Sequence, residues 1–501
     1  MRKANLVLFG ILFLAFVFSL SCSCENTLDS NGSISTHLPE SPFGIFEVEL
    51  EDIEYLPDLG VKVVINSLPP FLGLKESQGP NPWPEATARY QEHLQEGVEV
   101  MPVIPLTNEE FNDMTLQEYY DGVKVLVNHF DQSEYFLLTL EAEGMGMGDG
   151  ATKDDPERYA LFIRLAYKAL KVANPSAKLA TAGSPGTPCA YDEEIEPCVF
   201  PPGVSNANYF KTVFQEINYL EEIEKNPSLY NWNENKYNLT QEEFDLIFEP
   251  DSYEDYMEVH QFSAFVFDAR EYRKNARLYE VIREVLDREG FAEVELWNTQ
   301  TGTHSGTPTG MLNVPQTEKK QAEIVVKHYV MSFAHDIEKI FWNGVYEIPM
   351  ASGGLGDPPD PDNFFSVMPL VYDGEGQEGA NNKDVKKLSY YTFKKMVEVL
   401  EGSDWDNVQT VQEDNGVYVY KFTKDGKPIW VAWNDNLATQ TIILNVGNIN
   451  TAKIIKAIPK YNSGKEVTDY NTAFEIEVKQ TTNGVVTISL GDSPIFIQAG
   501  H

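Results

Sequence analysis

The sequence predicts an α/β fold, a (β/α)8 TIM barrel over residues 42–403 followed by a small C-terminal all-β sandwich over 404–501. Three observations predict it. Short apolar runs alternate with amphipathic helical stretches from residue 42 to about 402, the pattern of a parallel sheet built from βα units. The runs number eight, enough to close a barrel. From about residue 405 the chain turns all-β, with alternating strands and tight turn signals.

Before the barrel, residues 1–22 read as a secretory signal: Arg2 and Lys3, an apolar run from Leu6 to Leu20, then small residues. Cys22 after Leu20-Ser21 resembles a bacterial lipoprotein cleavage site, with Ser19 where Leu or Val is usual. Lipid anchoring on Cys22 and plain secretion are both open, and either places the mature protein outside the cytoplasm. Residues 23–41, rich in Ser, Gly and Asn, then form a tether.

The eight strands are expected at 43–48, 61–66, 98–104, 135–141, 177–184, 257–262, 294–300 and 338–343. Between them stretches such as "TLQEYYDGVKVLVNHF" and "DPERYALFIRLAYKALKVAN" repeat apolar residues at three and four positions behind a Thr or Asp start. A doubly wound sheet would need a Gly-rich phosphate turn after the first strand, and "FGIFEVELED" has none. "GMGMGDG" (144–150) follows the fourth strand and reads as a loop. Residues 221–256 form an acidic, aromatic insertion after the fifth helix, expected over the C-terminal face of the barrel. In the last domain "GVYVYKFTKDGKPIWVAWND" is a hairpin, and five further short runs complete a sandwich.

A chain of 501 residues, 42% hydrophobic and 12% aromatic, buries a large core. Its formal charge of −39 is spread in short acidic groups, which argues against nucleic acid, because phosphate binding needs clustered Lys and Arg. Cys189 and Cys198, nine positions apart in a Pro-rich loop, most simply form a disulfide in an oxidising compartment; free thiols follow if the chain is not exported. No His lies near them to complete a metal site, and no metal or organic cofactor is implied.

Catalytic groups of such barrels sit at the C-terminal ends of strands. Those ends carry Glu141 and Glu143 on strand four, His260 and Phe262 on strand six, Asn298 and Gln300 on strand seven, and Trp342 and Asn343 on strand eight. Trp and other aromatics beside carboxylates suit sugars, whose apolar faces stack while their hydroxyls need hydrogen bonds. With "TLEAEG", "HQF", "NTQTG" and "FWNG" at these ends, the chain resembles the clan A glycoside hydrolases, retaining barrel enzymes that include xylosidase-like families. The resemblance spans the barrel and the β-domain. It implies Glu141 as acid/base, with Leu140 and Ala142 replacing the usual Asn and Pro, and His260 and Phe262 at a His-x-Tyr position. It implies Trp342 as the floor of the sugar site and puts Gln300 where the attacking Glu belongs.

That amide matters chemically. A retaining glycosidase needs two carboxyl groups about 5 Å apart, one as acid and one as nucleophile. A neutral amide attacks poorly and cannot stabilise an oxocarbenium ion by charge, though it still bonds a hydroxyl. Glu143 shares parity with Glu141 and is a candidate second carboxylate; its bland reading is a solvated loop residue. Glu295 has parity opposite to Gln300 and is expected to point away, and Glu347 is a further, weaker donor. His260 also reads as a satisfied core histidine, and Trp297 as a core aromatic. Two functions follow: an exported glycoside hydrolase using Glu141 with an unorthodox partner, or a catalytically impaired barrel that binds glycan as a surface lipoprotein. Both take an oligosaccharide or polysaccharide and touch the membrane only through a lipid anchor. A barrel that merely supports assembly at the envelope is the third reading.

Overall fold

The computed structural model describes residues 41–46, 52–65, 74, 82–106, 112–141, 155–183, 191, 208–248, 256–267, 272–309, 314–351, 358–447 and 449–499. The signal segment, Cys22, Glu143, Cys189 and Cys198 lie outside them.

Nine parallel strands form one sheet: β1 Phe43–Phe46, β2 Val63–Ile65, β3 Glu99–Met101, β4 Val103–Ile104, β5 Tyr135–Glu141, β6 Lys178–Gly183, β7 Val259–Ser263, β8 Glu295–Thr301 and β9 Lys339–Asn343. The sheet order runs from β3 through β2, β1 and β9 down to β4. Its two ends, β3 and β4, are one strand interrupted at Pro102, which has no N–H to give a ladder. The carbonyl of Pro102 still accepts from Leu137, so the sheet closes into a barrel of eight strand positions.

Helices cover it: α1 Tyr55–Leu59, α2 Pro84–Gln95, α3 Leu116–His129, α4 Pro156–Ala173, α5 Tyr209–Lys225, α6 Gln241–Phe248, α7 Tyr272–Glu289, α8 Glu318–Ala334, α9 Gly376–Gly379 and α10 Leu388–Leu400. Their starts follow local chemistry. Thr115 caps α3 in a reciprocal box with Glu118, Asp155 accepts from Arg158 N–H ahead of Pro156 in α4, and Thr317 caps α8. Between sheet and helices lies one apolar layer; the barrel lumen holds a second, built from Phe46, Val63, Met101, Leu137, Val259, Trp297 and Phe341 among others. Both faces of each strand are therefore buried, the condition of a parallel sheet.

The base of the lumen is charged. Lys178 pairs with Glu295 at 2.8 Å, Trp297 Nε1–H donates to Glu295, and Lys339 sits 5.2 Å from the ring centres of both Tyr135 and Trp297. Glu295 thus lies away from the mouth, as expected, but inside the lumen at its opposite end, and Trp297 is the core aromatic that the sequence suggested. Glu99 accepts the Glu134 N–H at 2.8 Å, and burial pushes its carboxyl up to about 7.

The insertion after α5 is a further correction. A helix of a βα unit returns the chain to the start of the next strand, so a segment between α5 and β7 belongs near the N-terminal face. There α6 packs on the outside of α4. Arg164 lies 3.9 Å from the Tyr256 ring centre, pairs with Glu224 and donates to the Ile247 carbonyl, while Lys168 donates to that of Leu246.

After the barrel come β10 Met350–Ala351 and β11 Pro359–Asp360, a small ribbon within the last βα loop, and then the C-terminal domain. It comprises β12 Gln409–Asp414, β13 Val417–Lys424, β14 Lys427–Asn434, β15 Gln440–Asn445, β16 Thr451–Lys456, β17 Ile476–Gln480, β18 Val485–Leu490 and β19 Ile495–Ala499. Six pair in the order β12-β13-β14-β19-β16-β17, and β15 pairs with β18. Alternation along β13 explains the sandwich: Val417 and Val419 join the core between the sheets, Tyr418 and Tyr420 the core shared with the barrel. The joint is polar at its centre. Buried Lys327 of α8 bonds Asp435 at 2.9 Å and also pairs with Asp492; Tyr272 donates to Asp435 at 2.6 Å and accepts from Trp433 Nε1–H at 2.8 Å.

Replacing Lys327 by Ala leaves Asp435 and Asp492 without their buried cation and lowers stability by about 3 kcal/mol in denaturant titration. Glu99 sets a pH dependence. Its folded pKa lies above the ordinary carboxylate value, so the fold favours the protonated form; that contribution is complete at low pH and is lost as pH rises through about 7. Thermal melts of Glu99→Gln against wild type will show a gain in Tm that is larger at pH 8 than at pH 5.

Candidate active site at the barrel mouth

The strands that carry the expected catalytic positions, β5 and β8, both break register near their C-terminal ends. In β5, Leu138 pairs with Thr181 but Glu141 with Gly183, one extra residue, and Thr139 takes a left-handed φ of 51°. A β-branched residue there is strained. In β8, Asn298 pairs with Ile340 but Thr301 with Trp342, again one extra residue. Such bulges turn side chains away from the plain alternation and are common beside active sites.

The consequence in β8 is visible in bonding. Trp297 fills the lumen and Asn298 faces the helices, as alternation requires. Thr299 turns inward to bond Gln261, which shares the lumen side of β7 with Val259. Gln300 then also reaches lumen-side residues: its Nε2–H donates to Asn343 Oδ1 at 3.2 Å and its Oε1 accepts from Ser263 Oγ at 3.5 Å. Thr301 returns to the helix layer, donating to the Ala264 carbonyl and bonding His328 Nε2 at 2.8 Å. Gln261, Ser263, Thr299, Gln300 and Asn343 thus form a neutral polar floor, in which Gln300 is half-buried and the other four are buried.

One wall of the mouth is aromatic. The chain continues extended past β7, with Ala264 N–H donating to Gln300 O and Val266 N–H to Gly302 O at 3.0 Å each. This carries half-buried Phe265 and Phe267 above Ser263. Phe365 meets Phe265 edge-on at 5.2 Å, and Phe364 meets Phe267 at 5.0 Å. Met368 closes the corner, its sulfur 3.7 Å from Asn343 Nδ2; a side chain at Gly302 would collide with it.

The four residues expected to bind substrate lie elsewhere. His260, Phe262, Asn298 and Trp342 are fully buried between strands and helices. His260 bonds Tyr191 at 2.8 Å among Phe210 and Phe214, and burial holds its imidazole down to about 3, neutral. Phe262 packs on Tyr279, Asn298 reaches His328, and Trp342 stacks on Tyr329 while donating to the Met368 carbonyl at 3.3 Å. They face outward because Val259 and Phe341 hold the lumen side of β7 and β9. Glu141 is the last residue of β5. Glu347 is taken up by Lys387 at 2.5 Å, both buried, and burial raises its carboxyl. Ser263, Phe265, Phe267 and Phe365 were not legible as site residues; the alternation of "FSAFVF" was the available signal.

Among the described residues no group of three or more His, Cys, Asp or Glu is arranged to hold a metal. The site offers amide and hydroxyl hydrogen bonds beside an aromatic wall, an arrangement that can hold a polyhydroxylated ring.

No protein-family model matches the chain, and no curated protein matches it. Solved structures do, and those it resembles are clan A glycoside hydrolases with the same barrel and C-terminal β-domain. A family 39 glycoside hydrolase from Bacteroides cellulosilyticus aligns over 92% of this chain and 81% of its own, with TM-score 0.59 and 13% identity. A family 51 α-L-arabinofuranosidase from Bifidobacterium longum aligns over 95% and 91%, at TM-score 0.55 and 11% identity. A family 30 endoxylanase from Clostridium papyrosolvens aligns over 92% and 96%, at 0.50 and 13%. The likeness at this identity is one of fold.

The strain at Thr139 is measurable. Thr139→Asn, a residue that tolerates the left-handed region, raises stability by about 1 kcal/mol in denaturant titration.

Proposed function

We propose that the protein is an exported, carbohydrate-active barrel of the glycoside hydrolase type that binds an oligosaccharide or polysaccharide at its mouth with impaired retaining hydrolysis, held at the cell surface through Cys22. The observation that carries this reading is Gln300. It occupies the end of β8, bonded to Ser263 and Asn343, where a retaining enzyme of this fold needs a carboxylate. The amide keeps nearly the shape of Glu and retains a donor and an acceptor for hydroxyls. It gives up the negative charge that attacks the anomeric carbon. Phe265 and Phe365 supply a face on which a sugar ring stacks.

Hydrolysis itself is the second reading, and β5 favours it. The bulge and the strained Thr139 stand two residues before Glu141, and strain is retained where a side chain has to be aimed. Glu141 is then the acid/base, with Glu143 as its nearest partner in sequence.

Gln300→Glu separates the two. If the rest of the scaffold is competent, the variant will hydrolyse aryl glycosides with retention at a rate about tenfold or more above wild type, a barrier change of about 1.4 kcal/mol. Turnover by the wild type that Gln300→Glu leaves unchanged and Glu143→Gln abolishes establishes the hydrolytic reading instead. Absence of glycan binding in isothermal calorimetry, by wild type and variant alike, removes both.

A further inference from the structure

The outer edge of the six-stranded sheet is β17, which pairs with β16 on one side and with no strand on the other among the described residues. Two bonds fix the phase of the ladder. Thr481 N–H donates to Asn450 O and Lys456 N–H to Glu475 O, each at 2.9 Å. In an antiparallel pair the bonded positions alternate, so Glu475, Glu477, Lys479 and Thr481 turn their backbone groups toward β16. Ile476, Val478 and Gln480 turn theirs outward, to the open edge. On one face Ile476 and Val478 are 54% and 60% exposed. On the other, Lys479 Nζ lies 3.6 Å from Glu477 and 3.4 Å from the Thr487 carbonyl.

We propose that this edge pairs with the same edge of a second copy of the chain, antiparallel, about a two-fold axis through Val478. The sequence of the strand is self-complementary in that register and in no neighbouring one. Val478 meets Val478 of the other copy, and Ile476 meets Gln480, so every backbone group at the seam belongs to a residue whose N–H and C=O point outward. Each of these three pairs exchanges two hydrogen bonds. Glu477 meets Lys479 twice, at the non-bonded positions where cross-strand side chains come closest. Centring the axis on Glu477 or Lys479 would bring inward-turned backbone and like charges together. Centring it on Ile476 would oppose Glu475 and Glu477. The valines and isoleucines of the two copies join into one apolar strip across the seam.

A two-fold contact of one short strand is small, which makes the dimer weak and dependent on concentration. An open β-branched edge ordinarily risks unspecific pairing; here the charge pattern selects one register.

Sedimentation velocity of the full chain, from low micromolar to near-millimolar concentration, tests it. Wild type will shift from monomer to twice that mass. Val478→Pro removes an outward N–H without taking a bond from the β16 ladder, and the variant will stay monomeric. Glu477→Lys alone, which sets a second lysine against Lys479 of the other copy, will also stay monomeric, and combining it with Lys479→Glu will restore the doubling. A wild type monomeric throughout, or a dimer that survives both single substitutions, overturns the proposal. The charge pair reports even where Val478→Pro fails to fold.

Discussion

Burial on both faces is the constraint on which this barrel depends. Each strand separates a lumen from a helix layer, both packed with apolar side chains over most of their depth, so a polar side chain buried on either side needs a partner. His260 finds Tyr191 and Thr181; Asn298 and Thr301 share His328; Gln261 and Thr299 hold each other. Only at the mouth, where strands end, is a polar group left to meet a ligand. Most of the polar residues at the described strand ends are therefore answered internally, and among them the half-buried amide of Gln300 is the one that still reaches the surface.

The bulge in β8 decides where that remainder points. Plain alternation from Trp297 would send Thr299 inward and Gln300 into the helices, beside Tyr279 and His328. One extra residue lets Gln300 follow Thr299 to the lumen side and returns Thr301 to the helix layer, where His328 and the Ala264 carbonyl hold it. The cost is an irregular ladder on both sides of β8, offset by the bonds that Thr299 and Thr301 make to β7 and its extension. β5 carries a register break of the same kind, with the strain concentrated at Thr139.

Strands and helices were legible because their periodicities differ and because breaks separate them; all eight expected strands are present, and the trailing β-domain follows. The face of each strand was not legible. Reading parity backward from Gln300 turned Glu295 out of the lumen, and reading it from the resemblance turned His260, Phe262, Asn298 and Trp342 into the cleft. A bulge adds one residue to a ladder without any residue type that announces it: Asn298-Thr299-Gln300-Thr301 reads as an ordinary polar strand end. Trp342 shows the second limit. A Trp ending a strand fits a sugar floor and a helix-layer filler equally, and only its stacking on Tyr329 distinguishes them. The insertion after α5 failed for a different reason, since its face follows from topology and not from composition.

The distribution of charge along the lumen then bears on the neutral floor around Gln300. Titratable groups are concentrated at the base, where Lys178 pairs with Glu295 and Lys339 lies beside Tyr135, Trp297 and Glu99. None of them reaches Gln300 through a lumen filled by Leu137, Val259 and Phe341. A carboxylate in place of the amide would accept from Ser263 Oγ as the amide does, and from Asn343 once its side-chain amide turned over, so both neighbours can satisfy either form. The floor is therefore built to hold a carboxylate or an amide with the same bonds. Its lack of charge is a property of one side chain and not of the barrel around it.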